Sequence, residues 1–195
     1  MLASITPLGE RGRHNRYAIT VTAFSLAGVL AGAALGAVLG GLGGVALGGI
    51  APAPRLIALA TVLVGALIVD LGPRAVPGPR RQVNERWLDE YRGWVYGAGF
   101  GAQLGLGVTT VISSAATYAA MLAALLCGSA ASGALVLGSY GAIRGLTPLL
   151  GARVRTSEQL LALHRRFARA QRSATGTGHA LLAAATVAAV TGALG

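Results

Sequence analysis

Two charged side chains border or interrupt long uncharged stretches of this sequence, and their types define the chemistry that they could do. Asp70 ends an apolar stretch, and Arg144 stands inside the segment SYGAIRGLTP. A carboxylate can hold a proton or a cation, whereas a guanidinium can bind an anion or pair with a carboxylate such as Asp70. Structural interpretations also exist: Asp70 as an interfacial charge beside Arg74, and Arg144 as a side chain that extends to a polar interface.

Four further polar side chains follow one another along an uncharged stretch: Gln103, Thr110, Ser114 and Thr117. Their spacings of seven, four and three residues place them on one face if the stretch is a continuous helix. Such a face could line a polar path, or its hydroxyls could bond to carbonyls of the same or a neighbouring helix. With Asp70 and Arg144 these residues form the candidate substrate path, and Tyr118 and Tyr140 could supply further hydrogen bonds.

The residue types of enzymes, metal sites and thiol chemistry are poorly represented. The single cysteine, Cys127, excludes an internal disulfide and a dithiol relay. His14, His164 and His179 have no metal-ligand spacing, so no metal or other cofactor is predicted, although haem ligation by one histidine stays open. The sequence has no hydrolase triad, phosphate-binding loop or pair of catalytic carboxylates. We therefore expect that the protein is not an enzyme.

The composition indicates which elements position these side chains. The 195 residues are 54% hydrophobic and 11% charged, whereas a typical soluble domain has about 25% charged residues. Several uncharged stretches exceed the roughly 18 residues that indicate a membrane-spanning helix. The sequence therefore predicts an all-α integral membrane protein that forms a single domain over residues 1–195.

Five membrane spans are predicted, at about residues 18–42, 54–72, 96–126, 130–150 and 178–195. The polar segments 1–17, 73–93 and 152–176 contain three, five and six of the 16 basic residues, all of which are arginines. By the positive-inside rule these segments face the cytoplasm, so the N-terminus lies inside the plasma (inner) membrane and the C-terminus outside. The net charge of +10 accordingly predicts contact with anionic lipid headgroups rather than with nucleic acid.

Glycines recur at four-residue intervals in the first and third predicted spans. The positions are Gly28, Gly32, Gly36 and Gly40 in one span, and Gly97, Gly101 and Gly105 in the other. This spacing keeps glycine on one slowly rotating stripe, which lets helices approach closely in a membrane. The segment GGLGG at 40–44 could instead break the helix, either at an ion-binding site or at a re-entrant outer turn.

An internal repeat is also predicted. The segments GERGRHNRYAITVTAFSLAGVLAG and NERWLDEYRGWVYGAGFGAQLGLG are similar, and they lie about 75 residues apart. Each precedes a long uncharged segment, a polar break and a shorter apolar span. Because a unit of two spans preserves orientation, the copies would be parallel rather than inverted.

The loop and helix RRQVNERWLDEYRGWVYGAGFGAQLGLGVTTV, together with the opening ITPLGERGRHNRY, resembles uncharacterised polytopic membrane proteins of actinobacteria. These are grouped with the sulfite exporters and the membrane carriers of cytochrome c biogenesis. The resemblance implies export or transport, but two features depart from those families. The carriers require a pair of intramembrane cysteines, and their repeats are inverted units of three spans.

Two functions are consistent with these features. In the first, the protein is a transporter or exporter of a small solute, with Arg144 suited to an anion. In the second, it is an accessory subunit that packs into a larger membrane complex through its glycine-rich faces. Under either hypothesis we expect a homo-oligomer or a complex with other membrane subunits.

Overall fold

A computed structural model describes residues 5–73, 76–78, 86–109 and 112–195. These residues form helices and turns, with no strand among them. The α-helices in these ranges are α1 (Pro7–Gly12), α2 (Tyr17–Leu47), α3 (Pro52–Leu71), α4 (Trp87–Glu90), α5 (Gly93–Leu106), α6 (Ala116–Leu126), α7 (Ala130–Gly145) and α8 (Ser157–Leu194). A short 3-10 helix over Thr147–Gly151 follows α7. The predicted site residue Thr110 lies outside the described residues.

Three of the helices are long and apolar enough to cross a membrane. They are α2 with 31 residues, α3 with 20 and α8 with 38. Large apolar side chains on all three are exposed, including Leu30, Ile68 and Leu181. Such surfaces are unfavourable in water and suit contact with lipid chains. The structure therefore confirms an all-helical chain with helices that fit a membrane protein.

Helix α2 lies between α5 and α7, and its glycines form the contacts with α7. Gly28, Gly32, Gly36 and Gly40 are all buried. A Cβ added to Gly32 would overlap the backbone oxygen of Leu137, and one added to Gly36 would overlap that of Gly133. The partner numbers fall along α7 as the α2 numbers rise, so the two helices are antiparallel. Only glycine allows their backbones to approach so closely.

Helix α5 packs against another side of α2 and runs parallel to it. A Cβ on Gly97 would lie 2.6 Å from Thr20 O, and one on Gly101 would overlap Phe24 O. Further along, Gly105 is in equally close contact with Gly28. The side chains of Phe24, Tyr96 and Phe100 complete a buried cluster at the start of the two helices.

Helices α3 and α8 form a second, antiparallel pair, and α6 packs against α3. The core of this pair consists of small and aliphatic side chains, among them Ala60, Leu63, Leu182 and Ala189. A Cβ on Gly192, near the end of α8, would meet the side chain of Leu56, near the start of α3. The other end of α3 therefore lies beside the middle of α8.

The span predicted at 96–126 is not one continuous helix, because two helices occupy this range. Helix α5 ends at Leu106, and Gly107 follows with a φ of +74°, a left-handed conformation that favours glycine. Helix α6 begins only at Ala116. The predicted alternative break at GGLGG is also wrong, since α2 continues to Leu47.

The boundaries of two other predicted spans also differ from the structure. The fourth span, 130–150, is helical to Gly145 and then tightens into the 3-10 helix at Pro148. The last span, 178–195, is the second half of α8, which begins at Ser157. The Thr156 hydroxyl caps this helix by accepting a hydrogen bond from Gln159 N. One unbroken helix therefore includes both the polar segment and the last predicted span.

Candidate functional site

The segment between α5 and α6, residues 107–115, separates these two helices, and we call it the interruption. The polar side chains come together beside it. On one side of it, Gly105 contacts Gly28, and on the other side a Cβ on Gly43 would overlap Leu125 O. The interruption therefore lies beside the middle part of α2. Helices interrupted at membrane depth are typical of transporter binding sites, because backbone groups freed from the helix become available there.

Asp70 reaches the interruption from α3. Its Oδ2 accepts a hydrogen bond from Ser114 Oγ at 2.6 Å, and its Oδ1 accepts one from Ala115 N at 2.7 Å. Ser114 Oγ in turn accepts from Ala116 N. The carboxylate thus holds the start of α6, where the free amide groups and the helix dipole favour a negative charge.

Arg144 reaches the same interruption from α7. Its Nη1 donates to the Tyr140 hydroxyl at 2.6 Å, and its Cζ lies 5.3 Å from the centre of the Tyr140 ring. The Tyr140 hydroxyl also hydrogen-bonds the Thr117 hydroxyl at 2.8 Å. Thr117 and Tyr140 both border Gly107. Arg144, Tyr140 and Thr117 therefore form a hydrogen-bonded chain that ends at the left-handed glycine.

Two cavities flank the interruption. One, of about 510 Å³, is lined by Asp70 and Ser114 and by residues of α8 that include Gln171, Thr175 and His179. The other, of about 350 Å³, is mainly apolar, and Arg144 supplies the charge in its lining. Ser113 lines both cavities. One cavity thus presents a carboxylate and the other a guanidinium on either side of the same segment.

Several predicted relationships between the site residues are wrong. Gln103 does not share a helical face with Ser114 and Thr117, because α5 ends between them; its backbone oxygen accepts instead from Thr109. Asp70 and Arg144 form no ion pair, since each is held by the neutral partners described above. The predicted neighbour of Asp70, Arg74, lies outside the described residues.

A buried polar cluster joins α1, α2 and α5, and the sequence analysis did not identify it. The Glu10 side chain is fully buried. Its Oε1 accepts from the Tyr96 hydroxyl at 2.5 Å and from Arg13 Nη2 at 2.8 Å, and its Oε2 accepts from the Thr20 hydroxyl at 2.8 Å. Burial lowers the pKa of Arg13, but its hydrogen bonds to Glu10 and Tyr96 outweigh burial and raise this pKa above its ordinary value. The cluster connects α1 to α2 and α5 and pairs the buried carboxylate with a cation.

Arg55 stabilises the opposite end of the bundle. Its Nη2 donates to Leu47 O and to Ile50 O, where α2 ends. A cation at this position satisfies carbonyls that have no partner within the helix and complements the helix dipole. This contact explains why one arginine lies far from the arginine-rich segments.

The chain matches no protein family, no curated protein and no solved structure.

Proposed function

We propose that the protein is a transporter of a small anionic solute, whose path crosses the interruption between α5 and α6. The observation that carries this proposal is the pair of cavities with opposite charges, Asp70 in one and Arg144 in the other, on either side of the interruption. Charged side chains are expensive at membrane depth and are retained where ions or substrates pass. The proposal makes the protein a carrier rather than an enzyme.

Five crossings of the plasma (inner) membrane, with the N-terminus in the cytoplasm, are part of the proposal. Helices α5 and α6 together would make one crossing, parallel to α2 as a repeat of two spans requires. Support comes from the end of the bundle where the N-terminal segment meets the segment after α7. There Leu8 N donates to Val154 O, and the Tyr17 hydroxyl donates to Pro148 O. Leu8, Tyr17 and Val154 belong to the arginine-rich segments, and Pro148 lies four residues before one of them. Such segments favour the cytoplasm.

The unequal lengths of α2 and α3 support a water-filled entrance on the cytoplasmic side. At 1.5 Å per residue, α2 is about 46 Å long and α3 about 30 Å. Both meet at the outer end, where Arg55 of α3 binds the end of α2. Helix α3 therefore ends at the interruption, and residues 171–178 of α8 are exposed beyond it. Under the proposed topology, the Asp70 cavity would open toward the cytoplasm.

The size and lining of the second cavity support a small anion as substrate. Its volume of about 350 Å³ lies at the lower end of the range for small-molecule sites, which is about 300–1,000 Å³. Arg144 donates to one neutral hydroxyl there, so its guanidinium has further N–H groups for an anion. Sulfite is the first anion to test, because the membrane proteins that the sequence resembles are grouped with the sulfite exporters.

Flux measurements in liposomes test the proposal. The purified full-length chain would be reconstituted, and efflux of sulfite, sulfate, phosphate and acetate measured against protein-free liposomes. We expect protein-dependent flux of at least one small anion that saturates with concentration. The absence of saturable flux for all four anions would count against the proposal.

The accessory-subunit alternative predicts that the glycine-rich faces contact other proteins. Its support is weaker, because Gly28, Gly32 and Gly36 already face α5 and α7 of this chain. The mass of the solubilised particle distinguishes the two functions. A homo-oligomer or a monomer favours transport, whereas stoichiometric foreign subunits favour the accessory role.

A further inference from the structure

We propose that the Asp70 cavity binds the cation that drives transport, either a proton or a sodium ion. This inference rests on the proposed transport function, because it assigns the energy source of the same site. It concerns the cavity between α3, α6 and α8, which is distinct from the cavity proposed for the anion.

The partners of Asp70 leave its negative charge without a neutralising cation. The two hydrogen bonds that it accepts come from a neutral hydroxyl and a neutral backbone amide. Among the residues that the structure describes, no basic side chain lies within ion-pair distance of this carboxylate. Hydrogen bonds from neutral donors reduce the cost of a charge at membrane depth but leave its net charge in place. A bound proton or cation would neutralise this charge.

Glu10 provides a contrast within the same chain. This carboxylate is fully buried and pairs with Arg13, so its charge is neutralised by the protein itself. Its side chain is enclosed by α1, α2 and α5 and is not exposed to solvent. Asp70 differs, because no basic side chain among the described residues pairs with it and because it lines a cavity of about 510 Å³.

The lining of the Asp70 cavity suits a cation. Ser114, Gln171 and Thr175 offer neutral oxygen atoms, which are the ligands that hard cations prefer. The ionisable group facing Asp70 from α8 is His179, and Arg172, about two turns earlier in that helix, lines an adjoining cavity. A neutral His179 could relay a proton, and a protonated one would compete with a bound cation.

The arrangement also explains how cation and anion could be coupled. Ser113 lines both cavities, and Ser114 and Ala115, the residues bonded to Asp70, follow it directly. Neutralising Asp70 would weaken its hold on the start of α6 and change the segment that separates it from Arg144. Coupling between two sites is reciprocal, so a bound anion would favour the cation as well.

Carbodiimide labelling tests this inference without requiring transport. Dicyclohexylcarbodiimide adds to protonated carboxyl groups in apolar surroundings, and mass spectrometry of the reconstituted full-length chain identifies the modified residue. For a proton site, the labelling rate of Asp70 falls as the pH rises, because only the protonated carboxyl group reacts. For a sodium site, replacing choline chloride by sodium chloride at constant pH slows the labelling. Glu10, which is paired with Arg13, should remain unmodified.

Asp70→Asn should abolish the modification, whereas the matched control Asp89→Asn, at an exposed position of α4, should leave the rate unchanged. Two results would overturn the inference: no modification of Asp70 at any pH, or a rate that depends on neither pH nor sodium. Labelling that responds to pH or sodium without anion flux would support the cation site and reject anion transport. Anion flux without such labelling would support anion transport and reject the cation site.

Discussion

Ser114 Oγ donates a hydrogen bond of 2.6 Å to Asp70 Oδ2, and so ties the end of α3 to the start of α6. The two residues are 44 positions apart in the sequence, and each lies at a place where regular structure ends or begins. The contact lets an interrupted helix persist, because the carboxylate also accepts a hydrogen bond from Ala115 N, an amide group at the start of α6 that has no partner within that helix. The same contact positions a charge at the proposed transport path.

Loss of the Asp70 carboxylate should destabilise the protein. Asp70→Ala removes two hydrogen bonds to a charged acceptor, each worth about 1.5–3 kcal/mol. We expect a lower apparent melting temperature in detergent, measured by the aggregation of heated samples on size exclusion. Asp70→Asn keeps one acceptor oxygen and should have a smaller effect. An unchanged melting temperature for Asp70→Ala would show that the contact does not hold α6.

The close approach of α2 and α7 predicts opposite effects for two neighbouring glycines. Gly36→Ala places a methyl group on the backbone oxygen of Gly133, so the helices must separate. Gly41→Ala places one 3.9 Å from the nearest atom, where alanine favours the helix by about 0.8–1.0 kcal/mol. We expect Gly36→Ala to lower the apparent melting temperature or the folded yield and Gly41→Ala to preserve or raise it. Equal effects of the two substitutions would contradict the observed packing.

The Glu10 cluster should behave as a cooperative unit. Tyr96→Phe removes one hydrogen bond, while Glu10→Gln removes the charge that Arg13 neutralises. We expect each to lower stability and the double variant to lose less than the sum, with a coupling energy of about 0.5–3 kcal/mol. Melting temperatures of the four proteins in one detergent provide the comparison. Strict additivity would indicate that the two side chains act independently.

The single cysteine tests the proposed topology without any substitution. Cys127 is exposed and lies between α6 and α7, at the end of the bundle where Arg55 binds the end of α2. The proposed topology puts this turn outside the cell. A membrane-impermeant maleimide added to intact cells should therefore modify Cys127. A Cys127→Ser/Arg153→Cys variant should react only after the membrane is opened, and the reverse pattern would contradict the topology.

The general class of structure was predictable from composition, because few charges and long apolar stretches permit little else. The interruption between α5 and α6 was not predictable from hydropathy, because a hydropathy profile shows a break where charged residues occur and this segment has none. The features that indicate the end of α5 are local. Gly107 adopts a left-handed conformation, and β-branched and serine residues follow it in the sequence. Conversely, GGLGG stays helical because Gly40, Gly43 and Gly44 fit closely against the backbone of other segments, including Leu125. That outcome depends on tertiary packing.

The candidate site was predictable in part. Asp70, Ser114, Thr117 and Arg144 all border the interruption or its cavities, although the helical face that was used to group the hydroxyls does not exist. His179 and Ser113 also line the Asp70 cavity, and no local pattern in the sequence identifies either of them. The Glu10 cluster depends on Tyr96, 86 residues away. Spacing along one helix cannot reveal contacts between segments so distant in the chain.

Anion flux through liposomes containing Arg144→Gln tests the proposed transport path most directly. The variant removes the charge of the anion cavity, and Arg153→Gln, at an exposed position before α8, is the matched control. Since a hydrogen bond to a charged group is worth about 1.5–3 kcal/mol, we expect the concentration for half-maximal flux to rise by about 10- to 100-fold, or flux to be lost. Flux equal to that of the wild type and the Arg153→Gln control would contradict a path beside Arg144.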